Sequence, residues 1–401
     1  MVIGIIGGGA SGMAAALAAA ENENAQVLLF ERQARLGRKL LATGNGRCNL
    51  TNMHACPQSY HGDQADFAAT ALQAYDVQNT LRWFGDLGLY TVAEDTGRVY
   101  PYSDQANSVL DVLRFALERP NIQVLTGFEV TKIRSNHPGF MVEGGDESYF
   151  CDRLIIACGG LAGTKLGGSM SGYKLLQRFG HKVTKLRPTL VQIKSDWHGC
   201  AALKGVRAGC YATITKDGVL HNAGKGEIQF TEYGLSGPVI FEISRDVCRE
   251  KGNWVCTLDL LPDLDAPLLP LLQKKRQTHL AAEDLFTGIL HNRLGRVVVK
   301  EAGISLHAPI CQLEDWELDK ACRTARRLCI PLTEPMGMDS AQVTAGGIVT
   351  TEFDPETMES RLMPGLYACG EVLDIDGDCG GYNLQWAWSS GRCAGHAAGK
   401  E

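Results

Sequence analysis

The first 31 residues contain the pattern that most restricts what this chain can fold into. Gly7, Gly9 and Gly12 stand at G-x-G-x-x-G spacing between two short apolar runs, and the second run ends at Glu31. In a nucleotide-binding βαβ unit, such glycines allow a tight turn, close approach of the backbone to a pyrophosphate, and close packing of helix on strand. The pattern therefore predicts an α/β fold with a Rossmann-type dinucleotide site.

Glu31 narrows the choice of dinucleotide. A carboxylate at this point accepts hydrogen bonds from the ribose hydroxyls and would repel a 2′-phosphate, so it favours FAD or NAD over NADP. The pyrophosphate is expected at the positive end of the following helix, beside Ala10 and Ser11, with Arg32 as a further contact.

The carboxyl-terminal part of the chain favours the flavin. A strand of small and apolar residues ends in Gly370-Glu371, and a second glycine pair that includes Gly381 opens an apolar helix. A glycine before an acid lets the backbone approach the ribityl-phosphate part of FAD, and the helix start offers N–H donors to a negative flavin. Further predicted contacts from this reading are Val130, Gly159, Tyr382, Asn383 and Leu384.

Five segments give the chain a family resemblance. Residues 37–52, 98–103, 231–238, 344–348 and 380–387 resemble the BaiN/YhiN-type flavoproteins, also described as aminoacetone-oxidase-like or RdsA-like. The resemblance implies a glutathione-reductase-like, three-layer FAD-binding domain of Rossmann type with a β-barrel insertion and a small helical insertion. Family members have been linked to amine oxidation, to reduction in bile-acid metabolism, and to dihydrouridine formation in ribosomal RNA.

Changes in apolar periodicity and in the positions of Gly and Pro suggest boundaries for these parts. Residues 1–189 form the first part of the FAD domain, and 190–261 carry the short alternating strands and Gly turns of an antiparallel barrel. Several prolines precede helical spacing in 262–332, which predicts the helical insertion. Residues 333–401 are expected to complete the FAD domain.

Composition favours a cytoplasmic enzyme. No apolar run approaches the roughly 18 residues that a membrane span needs, and the start of the chain lacks a basic signal-peptide region. The 14 cysteines contain no C-x-x-C pair, which predicts reduced core residues and no metal site.

The chemistry is expected where the loop after residue 43 meets the start of the last helix. Gly46 lets this loop pass close to the flavin, while Arg47 and Asn49 could place donors near the N1/C2 edge, where negative charge develops on reduction. Cys48 is either a proton donor to a substrate carbon or a small packed residue. Tyr382 and Arg47 are the other catalytic candidates, and Lys39 is either a flavin contact or a surface lysine.

The helical insertion raises the question of an RNA partner. The whole chain has a formal net charge of −6, which argues against a protein that coats nucleic acid. Two concentrated basic groups could nevertheless contact RNA phosphates, although such groups are usually solvated helix faces. They comprise Lys274, Lys275, Arg276, Arg323, Arg326 and Arg327.

The sequence and the resemblance together predict an FAD-dependent oxidoreductase that reduces an electron-poor C=C bond. The resemblance favours a uridine of 23S ribosomal RNA as substrate. A small-molecule enone reductase or amine oxidase remains an alternative, as does a flavin-bearing RNA-binding or assembly factor. Because no second G-x-G-x-x-G follows a strand, NAD(P)H could serve only as a transient reductant. The sequence leaves the oligomeric state open.

Overall fold

A computed structural model of the chain describes residues 1–136 and 138–400, which fall into two units. The first unit comprises residues 1–187 and 342–401, and the second comprises residues 188–341. Each unit has its own apolar core. The chain therefore leaves the first unit once, builds the second, and returns.

A five-stranded parallel sheet forms the centre of the first unit, as the glycine pattern predicted. Its strands carry almost continuous apolar runs, which is the pattern of a parallel sheet covered on both faces. Their spatial order is Leu366–Ala368, Arg153–Ile156, Val2–Ile6, Gln26–Glu31 and Ile122–Thr126.

Two helices and an antiparallel meander complete three layers. The alanine-rich helix Ala10–Ala19 packs on Tyr382–Gly399, and a Cβ added at Gly395 would lie 2.3 Å from the Ala15 carbonyl oxygen. Only glycine permits this close approach of the two helices. The meander packs on the sheet through Tyr149, whose ring centroid lies 5.4 Å from that of Phe30. Its strands are Lys132–Ser135, Phe140–Gly144 and Glu147–Cys151.

The described part of the first unit contains five further α-helices and several short strands. Its remaining helices are Arg38–Ala42, Ala68–Ala74, Val77–Asp86, Ala106–Ala116 and Ser171–Gln177. Its remaining strands are Thr51–Asn52, Tyr60–His61, Thr91–Ala93, Arg98–Pro101, Val343–Ala345 and Asp376–Gly377, and Arg187–Thr189 lies where the chain passes into the second unit.

The second unit is built on a six-stranded antiparallel sheet. The spatial order of its strands is Ile193–Lys194, Gly234–Ser236, Val219–Thr231, Arg207–Lys216, Trp254–Asp259 and Leu328–Leu332. The last strand differs from the predicted helical insertion, which extended to residue 332. Leu328, Ile330 and Leu332 are buried while Cys329 and Pro331 are exposed, so the local period is that of a strand.

Five helices complete this unit: Gly199–Ala202, Pro238–Arg249, Leu268–Lys274, Asn292–Glu301 and Asp315–Arg326. One of them, Pro238–Arg249, lies inside the range predicted to be barrel, and it buries Val239, Ile240 and Ile243 at helical spacing. Residues of the sheet and the helices share one apolar core. The structure therefore joins in one unit the two insertions that the sequence suggested as separate.

Candidate functional site

The glycine-rich turn has the geometry of a pyrophosphate site. Gly7 has φ +114° and donates its N–H to the Phe30 carbonyl at 2.8 Å, which closes the turn between the two strands. A Cβ at Gly12 would lie 1.8 Å from the Gly7 oxygen, so the helix start packs directly on the turn. A Cβ at Gly9, by contrast, would meet nothing within 4 Å. The open side of Gly9 lies where the first N–H groups of the helix, including those of Ala10 and Ser11, have no partner within the helix.

Glu31 is held in place by the backbone around it. Its Oε2 accepts the Gly8 N–H at 2.8 Å, and its Oε1 accepts the Gln33 N–H at 2.7 Å. Each carboxylate oxygen keeps a further lone pair, which fits the two ribose hydroxyls of an adenosine. Arg32 donates to the Gly167 carbonyl oxygen, so this predicted contact is engaged within the protein.

Lys39 and Glu371, two predicted cofactor contacts, lie together. Lys39 Nζ is 2.7 Å from Glu371 Oε2, and Glu371 Oε1 accepts the Thr344 N–H at 2.9 Å. The preceding Gly370 has φ +76°, and a Cβ there would lie 2.5 Å from Ser11 Oγ. The Gly-Glu pair therefore approaches the amino-terminal end of the first helix, which joins the two halves of the predicted FAD site.

The two loops that were predicted to form the flavin end of the site meet directly. Gly44, Asn45, Gly46 and Cys48 all have positive φ, so the loop is tightly coiled. Gly381 has φ +102°, and a Cβ there would lie 2.4 Å from the Thr51 oxygen. No larger residue fits between the loop and the carboxyl-terminal helix at this point.

Asn49 provides a test of whether this place fits a flavin. The residue is 8% exposed, and its Oδ1 has no hydrogen-bond partner among residues 1–136 and 138–400. A buried acceptor without a partner costs free energy. This oxygen lies 2.9 Å from the position of a Cβ at Gly381, at the junction of the two loops. An N–H of a bound isoalloxazine ring would satisfy it, so the residues present fit FAD.

The Arg47 side chain is engaged on the surface. Its guanidinium pairs with Glu94 at 3.1 Å and with Asp104, and it lies over the Tyr100 ring with 3.9 Å between Cζ and the ring centroid. The hydrogen bond that Arg47 donates to the Asp104 carboxylate raises the pKa of the guanidinium. The predicted donation from Arg47 to the flavin would require these contacts to break.

Cys48 is enclosed by the protein. Its side chain is 0% exposed and belongs to the apolar core of the first unit. Burial raises the pKa of the thiol to about 12, partly offset by a hydrogen bond with Thr43. The thiol is therefore neutral near pH 7, and a substrate would reach it only after the loop moved.

The remaining predicted contacts have mixed environments. Asn383 exchanges hydrogen bonds of 2.8 Å with both the N–H and the carbonyl of Gly377, so its amide orders the preceding loop. Tyr382 is half-buried at the start of the helix, and Leu384 packs half-buried on the core. Val130 is buried, whereas a Cβ at Gly159, which has φ +68°, would meet nothing within 4 Å.

Two buried residues of this region were missed from the sequence. Gln385 accepts from Thr51 Oγ1 at 2.6 Å and donates to Thr80 Oγ1 at 2.9 Å, which ties the last helix to the flavin loop. The Tyr60 hydroxyl donates to the Tyr382 carbonyl at 3.0 Å, and burial raises the pKa of Tyr60, so it stays a neutral donor. The signal for Gln385 was a polar residue within an apolar helix, whereas no local pattern in the sequence indicated Tyr60.

The predicted RNA-contacting residues are largely used within the second unit. Lys275 Nζ donates to the Thr287 carbonyl at 2.7 Å, and Arg326 binds the Leu264 carbonyl at 2.9 Å. Arg276 pairs with Asp315 at 2.7 Å, and Arg323 pairs with Asp319 at 2.9 Å. Lys274 and Arg327 are exposed.

The second unit also carries an open surface pocket of about 730 Å³. Trp197, Tyr233 and His198 lie in its lining. His198 is 3.0 Å from Glu301, and Lys194 is 2.7 Å from Glu334, so its main charges are paired within the unit.

Among residues 1–136 and 138–400, no group of three or more His, Cys, Asp or Glu side chains could hold a metal ion. No helix in the same residues is long and apolar enough to cross a membrane.

Known proteins resemble this chain over almost its entire length. The family model for the HI0933-like protein Rossmann domain matches residues 1–397. A 3-dehydro-bile acid delta(4,6)-reductase of Clostridium scindens is 39% identical over 406 residues, which cover 99% of this chain and 98% of that protein. Ribosomal RNA dihydrouridine synthases of Escherichia coli and Haemophilus influenzae are 32% and 27% identical, and each comparison covers 96% of this chain and 95% of the relative.

Proposed function

This chain belongs to the HI0933-like family of Rossmann-domain proteins and is an FAD-dependent oxidoreductase, and we propose that it reduces a C=C bond conjugated to a carbonyl group. The resemblance seen in the sequence is thereby confirmed at the level of the family. The relatives named for bile-acid and for uridine reduction share this chemistry, because an unsaturated 3-oxo steroid and the uracil ring both contain a C=C bond next to a carbonyl. The reaction class is thus common to both, and the substrate distinguishes them.

The residues of the first unit support a reductive role. FAD, when bound in its reduced form, supplies the hydride for the carbon remote from the carbonyl. The unpartnered Asn49 Oδ1 would hold the isoalloxazine ring at the junction of the two loops. The amino-terminal end of the helix Tyr382–Gly399 favours negative charge at the same place, where it develops on the reduced flavin.

We infer that the substrate is a small cyclic enone. The observation that carries this inference is the internal use of the basic residues in the second unit. Lys275 and Arg326 donate to backbone carbonyls, and Arg276 and Arg323 are paired with aspartates, so four of the six predicted phosphate contacts are engaged within the unit. Nucleic-acid binding depends on free positive charge. The relative named as a bile-acid reductase, at 39% identity, agrees with this choice.

The proton for the second carbon needs a donor that the substrate can reach. Cys48 is a poor candidate in the conformation described here, because its thiol is completely buried. Tyr382 is half-buried and stands beside Gly381, where the two loops meet. We propose Tyr382 or a bound water as donor, with Cys48 as a packing residue and NAD(P)H as the transient source of the reducing electrons.

Reduction of a ribosomal RNA uridine is the second candidate. Two relatives carry the name of that activity, and Lys274 and Arg327 are exposed on the second unit. If RNA is the substrate, these two residues are the first expected phosphate contacts.

A single-turnover experiment separates the candidates. The holoenzyme is reduced with dithionite without oxygen and mixed with a 3-oxo-4,6-diene bile acid, or with 23S ribosomal RNA from cells that lack the enzyme. We expect the flavin to reoxidise with the bile acid and the product to gain two hydrogen atoms by mass spectrometry. Reoxidation by RNA alone, with dihydrouridine formed, would assign the second candidate, and reoxidation by neither would reject the proposed reaction.

A further inference from the structure

A short antiparallel ribbon next to the flavin loop presents an unusual aromatic surface. Thr91–Ala93 pairs with Arg98–Pro101, with Val92 opposite Tyr100. The Tyr102 N–H donates to the Tyr90 carbonyl at 2.8 Å, which continues the same register by one pair. Because side chains alternate along a strand, Tyr90, Val92, Tyr100 and Tyr102 share one face of the ribbon.

Most of this face is open to solvent. Tyr90 is 82% exposed and Tyr102 is 78% exposed, while Val92 is 46% exposed. Side chains directly opposite each other on an antiparallel pair have Cβ atoms roughly 5 Å apart, so the two tyrosines form one contiguous apolar surface. Single exposed apolar residues need no explanation, but a contiguous group of large ones commonly marks a binding site.

The face is continuous with the flavin loop. Tyr100, the fourth member, is only 6% exposed because the loop covers it. The Arg47 guanidinium lies over its ring, and its Cε1 is 3.4 Å from the position of a Cβ at Gly44. The flavin loop, which meets Gly381, therefore covers the aromatic face at Tyr100, and the face is open to solvent at Tyr90 and Tyr102.

The charges at the border of this face balance. Glu94 and Asp104 both contact Arg47, and Arg98, opposite Glu94 in the ribbon, is also close enough to act on Tyr100. Two acids and two arginines leave no excess positive charge to attract the phosphates of an RNA strand. A neutral ring system needs no such charge, and its hydroxyl groups could donate to the two acids.

We propose that Tyr90, Val92 and Tyr102 form a platform on which the apolar ring system of the substrate stacks while its conjugated end reaches the flavin. This assignment rests on the proposed reduction of a cyclic enone and adds residues that would bind the ring system of the substrate. The tyrosine rings would bind the flat hydrocarbon face of a fused-ring ketone.

The test measures binding, so that it does not depend on turnover. Holoenzyme is titrated with the saturated 3-oxo bile acid, an unreactive product analogue, and binding is followed by equilibrium dialysis. We expect Tyr90→Ser and Tyr102→Ser each to weaken binding about tenfold, because each change removes one ring from the apolar contact with the ligand. The flavin content and the rate of reduction by dithionite should not change. Phe150→Ser, at a 40% exposed aromatic residue of the meander, serves as the matched control and should bind normally.

Several outcomes would overturn the platform. They are absence of binding to the wild-type protein, equal binding by the tyrosine variants, and equal loss in the Phe150→Ser control. A change of the sedimentation coefficient in the tyrosine variants alone would instead identify the face as a contact between two copies of the chain. Loss of binding in the variants together with no turnover by the wild type would keep the platform and reject the proposed reaction.

Discussion

Replacement of Glu31 by alanine separates the two tasks of this carboxylate. In the apoprotein the side chain accepts the N–H groups of Gly8 at 2.8 Å and Gln33 at 2.7 Å. At roughly 1 kcal/mol for each hydrogen bond, Glu31→Ala should lower the free energy of unfolding of the apoprotein by about 2 kcal/mol. When FAD binds, the variant also leaves the ribose hydroxyls without an acceptor, which should weaken FAD by a further 1 to 3 kcal/mol, or about 5- to 150-fold in Kd.

The two effects are measured separately. Urea unfolding of the apoprotein gives the first, and quenching of FAD fluorescence on titration with apoprotein gives the second. Glu31→Gln keeps one acceptor oxygen but turns an amide N–H toward a backbone donor, so an intermediate loss of affinity is expected. Glu21→Ala is the matched control. Glu21 lies on the surface, and among the hydrogen bonds and ion pairs of residues 1–136 and 138–400 its carboxylate contacts His396 alone. A Kd for FAD in Glu31→Ala within twofold of the wild-type value would refute the reasoning.

Three further predictions follow from single environments. Cys48→Ala should keep the flavin spectrum and change the turnover rate less than threefold, and the small cavity should lower the free energy of unfolding by about 1 kcal/mol. A turnover rate about 10²-fold lower would instead identify the thiol as the general acid. Burial lowers the pKa of His181 from its ordinary 6.5, so the unfolded chain binds the proton at a higher pH than the folded chain. The free energy of unfolding should therefore fall as the pH drops below about 6.5. Urea unfolding between pH 7.5 and 5 should show a smaller fall in His181→Gln. Changing the six predicted RNA contacts of the second unit to Gln one at a time should destabilise the protein at Lys275 and Arg326 but not at Lys274. Salt-dependent RNA binding with a slope reduced by about 0.7 to 0.9 for each change would contradict the small-molecule assignment.

The parts of the fold that depend on short-range spacing could be predicted from the sequence. The glycine turn is one example, because Gly7 and Gly12 contact each other within a few residues and no other residue type fits. The strand Leu328–Leu332 was assigned to the helical insertion because its pairing partner, Trp254–Asp259, lies some 70 residues earlier, and only this pairing makes it a strand.

The side chains of the site were harder to predict than its backbone. The sequence predicted that the loop of Gly44 and the glycines before Tyr382 lie close to the flavin, and the structure adds that φ is positive at Gly44, Gly46 and Gly381. The sequence could not reveal that Arg47 is engaged by Glu94 and Asp104, which lie 47 and 57 residues further along the chain. Burial of Cys48 is likewise a property of the packed unit, so the residue type alone left the choice between acid and packing open.

The strained backbone around Cys48 gives a physical reason for a small, buried residue at this position. Asn45 and Cys48 have φ of +56° and +61°, which costs a non-glycine residue of the order of 1 kcal/mol or more, so the surroundings must hold the turn in place. The Cys48 N–H donates to the Thr43 carbonyl at 3.0 Å, and its side chain is small enough to be enclosed completely by the apolar core. This anchoring fixes the next residue, Asn49, with its unpartnered oxygen at the junction with Gly381. Cys48 therefore stabilises a strained loop. The same loop places the unsatisfied Asn49 oxygen where bound FAD would supply a hydrogen-bond donor.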